Sequence, residues 1–331
     1  MMRNTFWVLL VPIFIAAAGA AQIPSPALLV LEKNDKSLAI VDPASLKVVG
    51  RIPAGEDPHE VVASEDGKYA YISNYGAFQT PQHTLSVADL SSHKALPVVD
   101  LGSLRAPHGL EWANGKVYFT AEGSKVIGRY DPATHQVDWT LGIGQNRTHM
   151  LVVSKNESRI FTSNVNSDTI SILDRDKNGD ASGWIETLIS VGKGPEGFDV
   201  SPDGKELWAA NSHDGTLSII DVGTRKVVQT LDLHTKRANR VKFSADGKLV
   251  LVSDLDTGDL VILDTAARKE RKRLNLGHGA AGILIVPDGS KAYIAVSTDG
   301  QIAVVDLKIL SVTGKIETGK GPDGMAWAVR K

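Results

Sequence analysis

The sequence predicts an all-β fold: a seven-bladed β-propeller of four-stranded antiparallel blades, closed by its N- and C-terminal strands in one shared blade. Three observations predict it. One stretch recurs seven times, each copy reads as four short strands, and the chain opens with three strands of a blade whose fourth is supplied by its last residues.

The recurring stretch is "PHEVVASEDGKYAYISN" from Pro58, "PHGLEWANGKVYFTA" from Pro107, "THMLVVSKNESRIFTSN" from Thr148 and "PEGFDVSPDGKELWAAN" from Pro195. It continues as "ANRVKFSADGKLVLVSD" from Ala238, "AAGILIVPDGSKAYIAV" from Ala280 and a truncated "PDGMAWAVRK" from Pro322, with starts 41 to 49 residues apart. In the copy from Pro195, "GFDV" leads into Pro202-Asp203-Gly204. Pro presets the first turn dihedral there and Gly supplies the left-handed position of a short hairpin. "ELWAAN" is the second strand, Ser212 to Gly215 a turn, and "TLSIID" the third strand. After the link from Asp221 to Thr224, "KVVQTLDL" is the fourth. Runs such as "KLVLVSD" (Lys248 to Asp254) are apolar on both faces, so each small sheet must be covered on both sides, which radial packing around an axis provides. No long stretch carries helical spacing. Residues 27 to 52 hold "LLVLEKN", "SLAIVD" and "KVVGRI", three strands lacking an innermost partner, and "GMAWAV" (Gly324 to Val329) is that partner, so closure leaves no open sheet edge.

The first residues stand apart. "MMRNTFWVLLVPIFIAAAGAAQ" has one early Arg, an apolar stretch from Phe6 to about Ala18 and small residues at Ala18-Gly19-Ala20. Residues 1–21 therefore read as a secretory signal peptide, with an uncleaved anchor as the alternative. Residues 22–331 are expected to form one soluble, exported propeller domain, periplasmic or extracellular and monomeric, with no membrane span. The sequence has no cysteine, which removes iron–sulfur ligation, covalent haem attachment and thiol catalysis. A net charge of −2 leaves no overall field to draw nucleic acid. No Walker loop, dinucleotide fingerprint or G-x-S-x-G elbow occurs, so neither a nucleotide cofactor nor a serine nucleophile is expected.

The second-strand ends "YISN", "FTSN" and "WAAN", the P-x-G starts, the "SPDGK" turn and the "KVV" fourth strand resemble the YVTN family of β-propeller repeats, which is similar in turn to lactonase-type propellers. The resemblance covers essentially the whole mature chain. The second copy departs from it, with Trp112-Ala113-Asn114-Gly115 in place of Ser-Pro-Asp-Gly and Ala121 in place of Asn, and the sixth copy also lacks that Asn. The resemblance implies the fold and little about activity, because propellers host binding modules, hydrolases, lyases and oxidoreductases alike.

In a propeller the loop into each innermost strand faces one mouth of the central channel. The residue after each start is His59, His108, His149, Glu196, Asn239, Ala281 and Asp323. Three imidazoles with neighbouring carboxylates suit a transition metal ion, or proton transfer with Glu196 or Asp323 as base; the structural alternative is that each His bonds a neighbouring backbone. The residues just before the starts supply Arg105, Arg147, Lys193, Lys236, Arg237, His278 and Lys320, a cationic rim suited to a small anion or a protein partner, or else solvated loop charge. In the third copy the link becomes "DRDKNGDASGWIE", with Asp174, Asp176, Asn178 and Asp180 spaced as oxygen ligands of a structural calcium ion, or simply a polar turn. Tyr75, Phe78 and His83 lie in an enlarged loop of the first copy, placed to overhang the channel. The expected function is an exported binding module for an anionic ligand or protein at the channel mouth. The alternative is a propeller enzyme, a lactonase-like hydrolase or metal-dependent oxidoreductase, using the central ring.

Overall fold

The computed structural model describes residues 24–77, 79–176 and 183–331. The expected leader at 1–21, Phe78, and Asn178 and Asp180 of the acidic link lie outside the described residues. Seven four-stranded antiparallel sheets form the protein. We number blades by their innermost strands: Pro58–Ala63, Pro107–Ala113, Thr148–Val153, Pro195–Val200, Ala238–Phe243, Ala280–Ile285 and Pro322–Ala328. Blade 7 is completed by Ala27–Glu32, Ser37–Asp42 and Lys47–Pro53 from the other end of the chain. Its register pairs Leu28 with Trp327 and Val30 with Met325, as the two truncated copies required. Among the described residues helix is confined to two three-residue turns, Glu122–Ser124 and Val165–Ser167, and no helix is long and apolar enough to cross a membrane.

The core is divided. Seven apolar layers fill the seven gaps between neighbouring blades, for example Leu29, Leu31 and Ile40 of blade 7 against Val61, Ile72 and Leu90 of blade 1. The second strand of blade 5, Leu249–Asp254, is buried along its whole length, because it has a blade on either side. Fourth strands lie at the rim: some alternate, as Lys226–Asp232 does, one face inward and one to solvent, while Lys94–Asp100 and Lys269–Asn275 are exposed along most of their length.

The far ends of the innermost strands turn on one device. In blade 4 the Ser201 hydroxyl donates to Asp203, and Asp203 accepts the Lys205 N–H at 3.1 Å. Ser64-Asp66-Lys68 and Ser244-Asp246-Lys248 repeat it. Blade 2 replaces it with the two-residue turn Asn114-Gly115, both at positive φ (46° and 79°), the mirror-image geometry that Asn-Gly favours. The shorter turn borders a cleft of about 740 Å³ lined by Tyr71, Trp112, Tyr130 and His135, with Tyr71 and Trp112 stacked at 5.8 Å.

Removing residues 322–331 would strip the innermost strand from blade 7 and expose an unpaired edge beside two apolar layers. We expect the shortened chain to lose its single cooperative thermal transition and to elute as an expanded or associated species. Melting by circular dichroism and size-exclusion chromatography check this; an unchanged melt would contradict closure through the termini.

Candidate functional site

The channel mouth is assembled by three local features that recur around the ring. First, the residue before each start accepts a backbone hydrogen bond from the residue just past the second strand: Lys33 N–H to Gly321, Tyr75 to Asp57, Glu122 to Ala106 and Val165 to Arg147, with the same pattern in blades 4 to 6. Asp57, Ala106 and Arg147 adopt positive φ there (47°, 54° and 55°). Second, each innermost strand carries one extra residue against its partner. Pro58 pairs with Asn74 but Val61 with Ile72, and every blade shows the same shift. Such a bulge re-aims side chains, and here it presents the first and second residues after the start to the axis. Third, hydroxyls staple blade to blade. Ser73, Thr120 and Ser163 donate to the carbonyls of His108, His149 and Glu196 at 2.7, 2.7 and 2.8 Å.

The result is a cavity of about 260 Å³. Lys33, Arg147, Arg237 and Arg240 line it together with His59, His108, His149, Glu196, Asn239 and Asp323. Lys33 is its busiest group. Its Nζ donates to His59 Nε2 at 2.8 Å and lies 3.3 Å from Asp323 and 3.6 Å from Asp57. His59 Nδ1 therefore carries the proton and donates to the Asp57 carbonyl at 3.0 Å. Burial, and then the Lys33 charge, push the His59 pKa down to about 4 against the pull of Asp323 and Asp57. Burial and the charges of His149, His59, Arg240 and Lys33 likewise hold His108 well below the ordinary imidazole value. Both rings are neutral at neutral pH.

The imidazoles form a short column of tilted rings, with centroids 4.6 Å and planes 56° apart for His59 and His108, and 3.8 Å and 34° for His108 and His149. His149 donates through Nδ1 to Glu122, whose other oxygen accepts the Tyr75 hydroxyl at 2.6 Å and lies 3.6 Å from Arg147. Burial pushes the Glu122 carboxyl up, and His149, Arg147 and Tyr75 more than offset it, leaving its pKa below the ordinary carboxylate value. Glu196 behaves alike: burial is outweighed by His149, Arg240, Arg147 and Arg237. For Asp323, burial is outweighed by Lys33, Arg240 and His59.

Below this cavity Arg240 reaches across the channel to Glu60, 180 residues away in blade 1, at 2.5 Å. Arg240 also lines a second chamber of about 420 Å³ at the opposite mouth, with Glu111, Lys242, Trp112, Phe198 and Trp327. The ion pair thus divides the channel. Burial pushes the Glu111 carboxyl to about 7, with Lys242 pulling it down and Asp199 up.

Of the expected site residues, His59, His108, His149, Glu196 and Asp323 converge on the cavity, as do Arg147 and Arg237. Arg105, Lys193 and Lys320 do not, nor do Lys236 and His278. The difference is one position. Arg147 and Arg237 immediately precede their starts, whereas the other five stand two residues before and turn outward. Arg105 donates to the Gly102 carbonyl at 2.5 Å, Lys193 pairs with Asp168 at 2.7 Å, and Lys320 is exposed. Tyr75 is a wall of the site, packed on His59 and His108, while His83 lies 3.7 Å from Asp100 with its side chain 41% exposed. Sequence reasoning missed Lys33, Glu122, Glu60 and Arg240. Lys33 and Glu122 follow directly on second strands, at the position after the repeat's Asn; Glu60 and Arg240 occupy the place of Gly in P-x-G.

At the start of the acidic link, Asp174 is already paired. Asp174 accepts from Arg159 at 2.6 Å and from Arg225 at 2.7 Å, so both carboxylate oxygens are committed to guanidinium groups and do not fit a cation site. It occupies the third-strand Asp position, where Asp221 accepts the Thr224 N–H instead.

Residues 143–328, more than half the chain, match the family model for YNCE-like beta-propellers. Antigen Lp49 of Leptospira interrogans is 26% identical over 143 residues, 41% of this chain but only 30% of that protein's length. Among solved structures, a functionally unknown protein from Desulfotomaculum acetoxidans superposes with a TM-score of 0.76 at 13% identity, covering 93% of this chain and all of its own. A candidate 6-phosphogluconolactonase from Bacteroides uniformis gives 0.74 at 16% identity, covering 92% of this chain and 99% of its own. At these identities the structural likenesses establish the fold.

The opposite chamber generates a pH test. Folding raises the Glu111 pKa from 4.5 to about 7, so the folded state holds a proton that the unfolded state has lost between those values. The stability this confers is complete below about 4.5 and disappears as pH rises through about 7. In Glu111→Gln, facing the same Lys242, Asp199, Glu60 and Arg240, stability measured by urea titration should fall less between pH 4.5 and 7.5; a parallel profile would show that Glu111 titrates normally.

Proposed function

The chain belongs to the YNCE-like β-propeller family, and from that premise we propose that it is an exported binding module that holds a small anionic ligand at the mouth of its channel. One observation carries the reading. Four cationic side chains, Lys33, Arg147, Arg237 and Arg240, line a cavity that offers only two carboxylates, Glu196 and Asp323, in return. Arg240 is committed to Glu60, and Lys33 is shared among His59, Asp57 and Asp323. Arg237 is exposed and has no carboxylate within ion-pair distance among the described residues, and Arg147 stands 3.6 and 3.9 Å from its acidic neighbours, beyond good hydrogen-bonding range. These two guanidinium groups have the capacity to take a carboxylate or phosphate, while neutral His59 and His108 add no competing charge. At about 260 Å³ the cavity has room for a small organic acid or phosphate monoester. Export is supported by the leader composition at residues 1–21.

Calorimetric titration with succinate, inorganic phosphate and glucose 6-phosphate at low salt tests it. We expect a dissociation constant below about 1 mM for at least one of them, weakened about tenfold or more by Arg237→Ala or Arg147→Ala and unaffected by Lys193→Ala. No binding, or binding indifferent to both arginines, would end the proposal.

A second reading is favoured by one feature, the orientation of His149 by Glu122 through Nδ1, which leaves Nε2 free to accept a proton. Hydrolysis of an anionic lactone would use it: water loses a proton to Nε2 and attacks the ring carbonyl, the ester C–O bond breaks, and Nε2–H returns the proton to the leaving alkoxide, giving an acid and an alcohol. The binding reading expects no loss of 6-phosphogluconolactone above the spontaneous rate. Turnover abolished by His149→Gln would establish the hydrolase instead.

A further inference from the structure

We propose that His108, His149 and Glu196, contributed by three consecutive blades, bind a divalent metal ion of borderline softness such as zinc at the floor of the cavity, with Glu122 as the positioning residue that holds His149 in its ligating tautomer.

Four observations lead there. One ligand atom each from His108, Glu122 and His149, all buried, lie within 4.8 Å of one another, and Glu196 stands outside that group, against His149 Nε2. On the two histidines, each 2% exposed, His108 Nδ1 and His149 Nε2 are fully buried and have no hydrogen-bond partner. A buried polar atom left unsatisfied is destabilising, and two on neighbouring rings call for an occupant. The tautomer follows from geometry. The Glu122 carboxylate can only accept, so His149 gives its proton to Glu122 from Nδ1 and presents a lone pair at Nε2. That lone pair lies 3.6 Å from Glu196 Oε1, close to the ~3.3–3.4 Å that separates two ligands of a tetrahedral ion with bonds of about 2.0–2.1 Å.

The support around the cluster is that of a built site. Glu122 is fixed by the Tyr75 hydroxyl at 2.6 Å, a carboxylate–histidine arrangement of the kind that orients metal ligands. The backbone of each proposed ligand is pinned by the preceding blade, through Ser73 to His108, Thr120 to His149 and Ser163 to Glu196. His59 and Asp323, whose partners are Lys33 and the Asp57 carbonyl, receive no such staple among the described residues. Two imidazoles and one carboxylate, in a chain without cysteine, suit zinc, iron(II), nickel or copper(II) over calcium or magnesium. An ion at Nε2 would exclude the base role of His149. The inference does not rest on the anion reading, because the metal is titrated with no anionic ligand present and either result stands without the other.

The test uses the chain purified without a tag and stripped with chelator, then titrated with Zn²⁺ by calorimetry and with Co²⁺ by visible absorption. We expect one equivalent to bind, with the intense ligand-field bands of low-coordinate cobalt. Affinity should fall about a hundredfold or more in His149→Gln and Glu196→Gln and about tenfold in Glu122→Gln. His83→Gln, outside the cavity, should bind as wild type does. Thermal melts show which variants fold; should His149→Gln fail, Glu196→Gln and the wild-type cobalt spectrum decide. Absence of stoichiometric Zn²⁺ or Co²⁺ uptake by wild type would overturn the proposal. Uptake at equal affinity in both ligand variants would overturn it as well.

Discussion

Seven strands must crowd around one axis, and the room left between neighbouring backbones decides which side chains can stand there. At the second position after each start the ring reads Glu60, Gly109, Met150, Gly197, Arg240, Gly282 and Gly324. A Cβ at Gly109 would lie 2.7 Å from the His149 carbonyl oxygen and 2.9 Å from Met150 Cα. Gly197 presses in the same way on Asn239 and Arg240, and Gly324 on His59 and Glu60. Each of the three large residues is thus admitted by a glycine in the preceding blade. With seven blades the alternation cannot close, and two glycines, Gly282 and Gly324, fall side by side. Glycine is needed here for close approach of backbone to backbone.

That packing decides where charge can enter the channel. Arg240 and Glu60 occupy two of the three admitted positions and meet across the axis, so the channel is closed by an ion pair and not by an apolar plug. Burial works against the Arg240 charge, and Glu60, Asp323 and Glu196 more than compensate it. A buried pair of this kind adds little net stability while intact, yet removing one partner strands the other at a cost of about 3–5 kcal/mol. The pair therefore holds the two chambers apart and fixes which acids Lys33, Arg147 and Arg237 see on their side. The imidazole column, with Glu122 and Glu196 flanking it, sits above this floor in a pocket where every acid has a cation within reach.

The sequence announced most of this fold and roughly half of the site. Residues one place after the starts were legible because turn signals mark each start and the bulge delivers that position to the axis in every blade. The cations were read less well, because Arg147 and Arg237 were grouped with Arg105, Lys193 and Lys320, one residue further away. Arg147 takes that step at positive φ (55°) and Arg237 does not, yet both line the cavity, whereas the residues one place earlier do not. Lys33 and Glu122 went unseen because their position is occupied elsewhere by Tyr75, Val165, Ser212, Leu255 and Ser297, so no charged residue type repeats there to draw notice. Asp174 shows the opposite case. Its spacing suits a calcium loop, and its pairing with Arg225, 51 residues later, is visible only in the fold.

By itself the sequence determined the architecture: the number of blades, the four strands of each, and the joining of Ala27–Glu32 to Pro322–Ala328. These follow from local periodicity, turn chemistry and the arithmetic of incomplete copies, all of which are written along the chain. Tertiary structure alone decided the chemistry of the mouth. The meeting of Glu60 with Arg240, of Tyr75 and His149 on Glu122, and of Lys33 with His59 and Asp323 joins residues between 26 and 290 positions apart. No local preference encodes such pairings; they exist because ring closure brings seven separate loops to one axis and excludes the water that would otherwise solvate their charges.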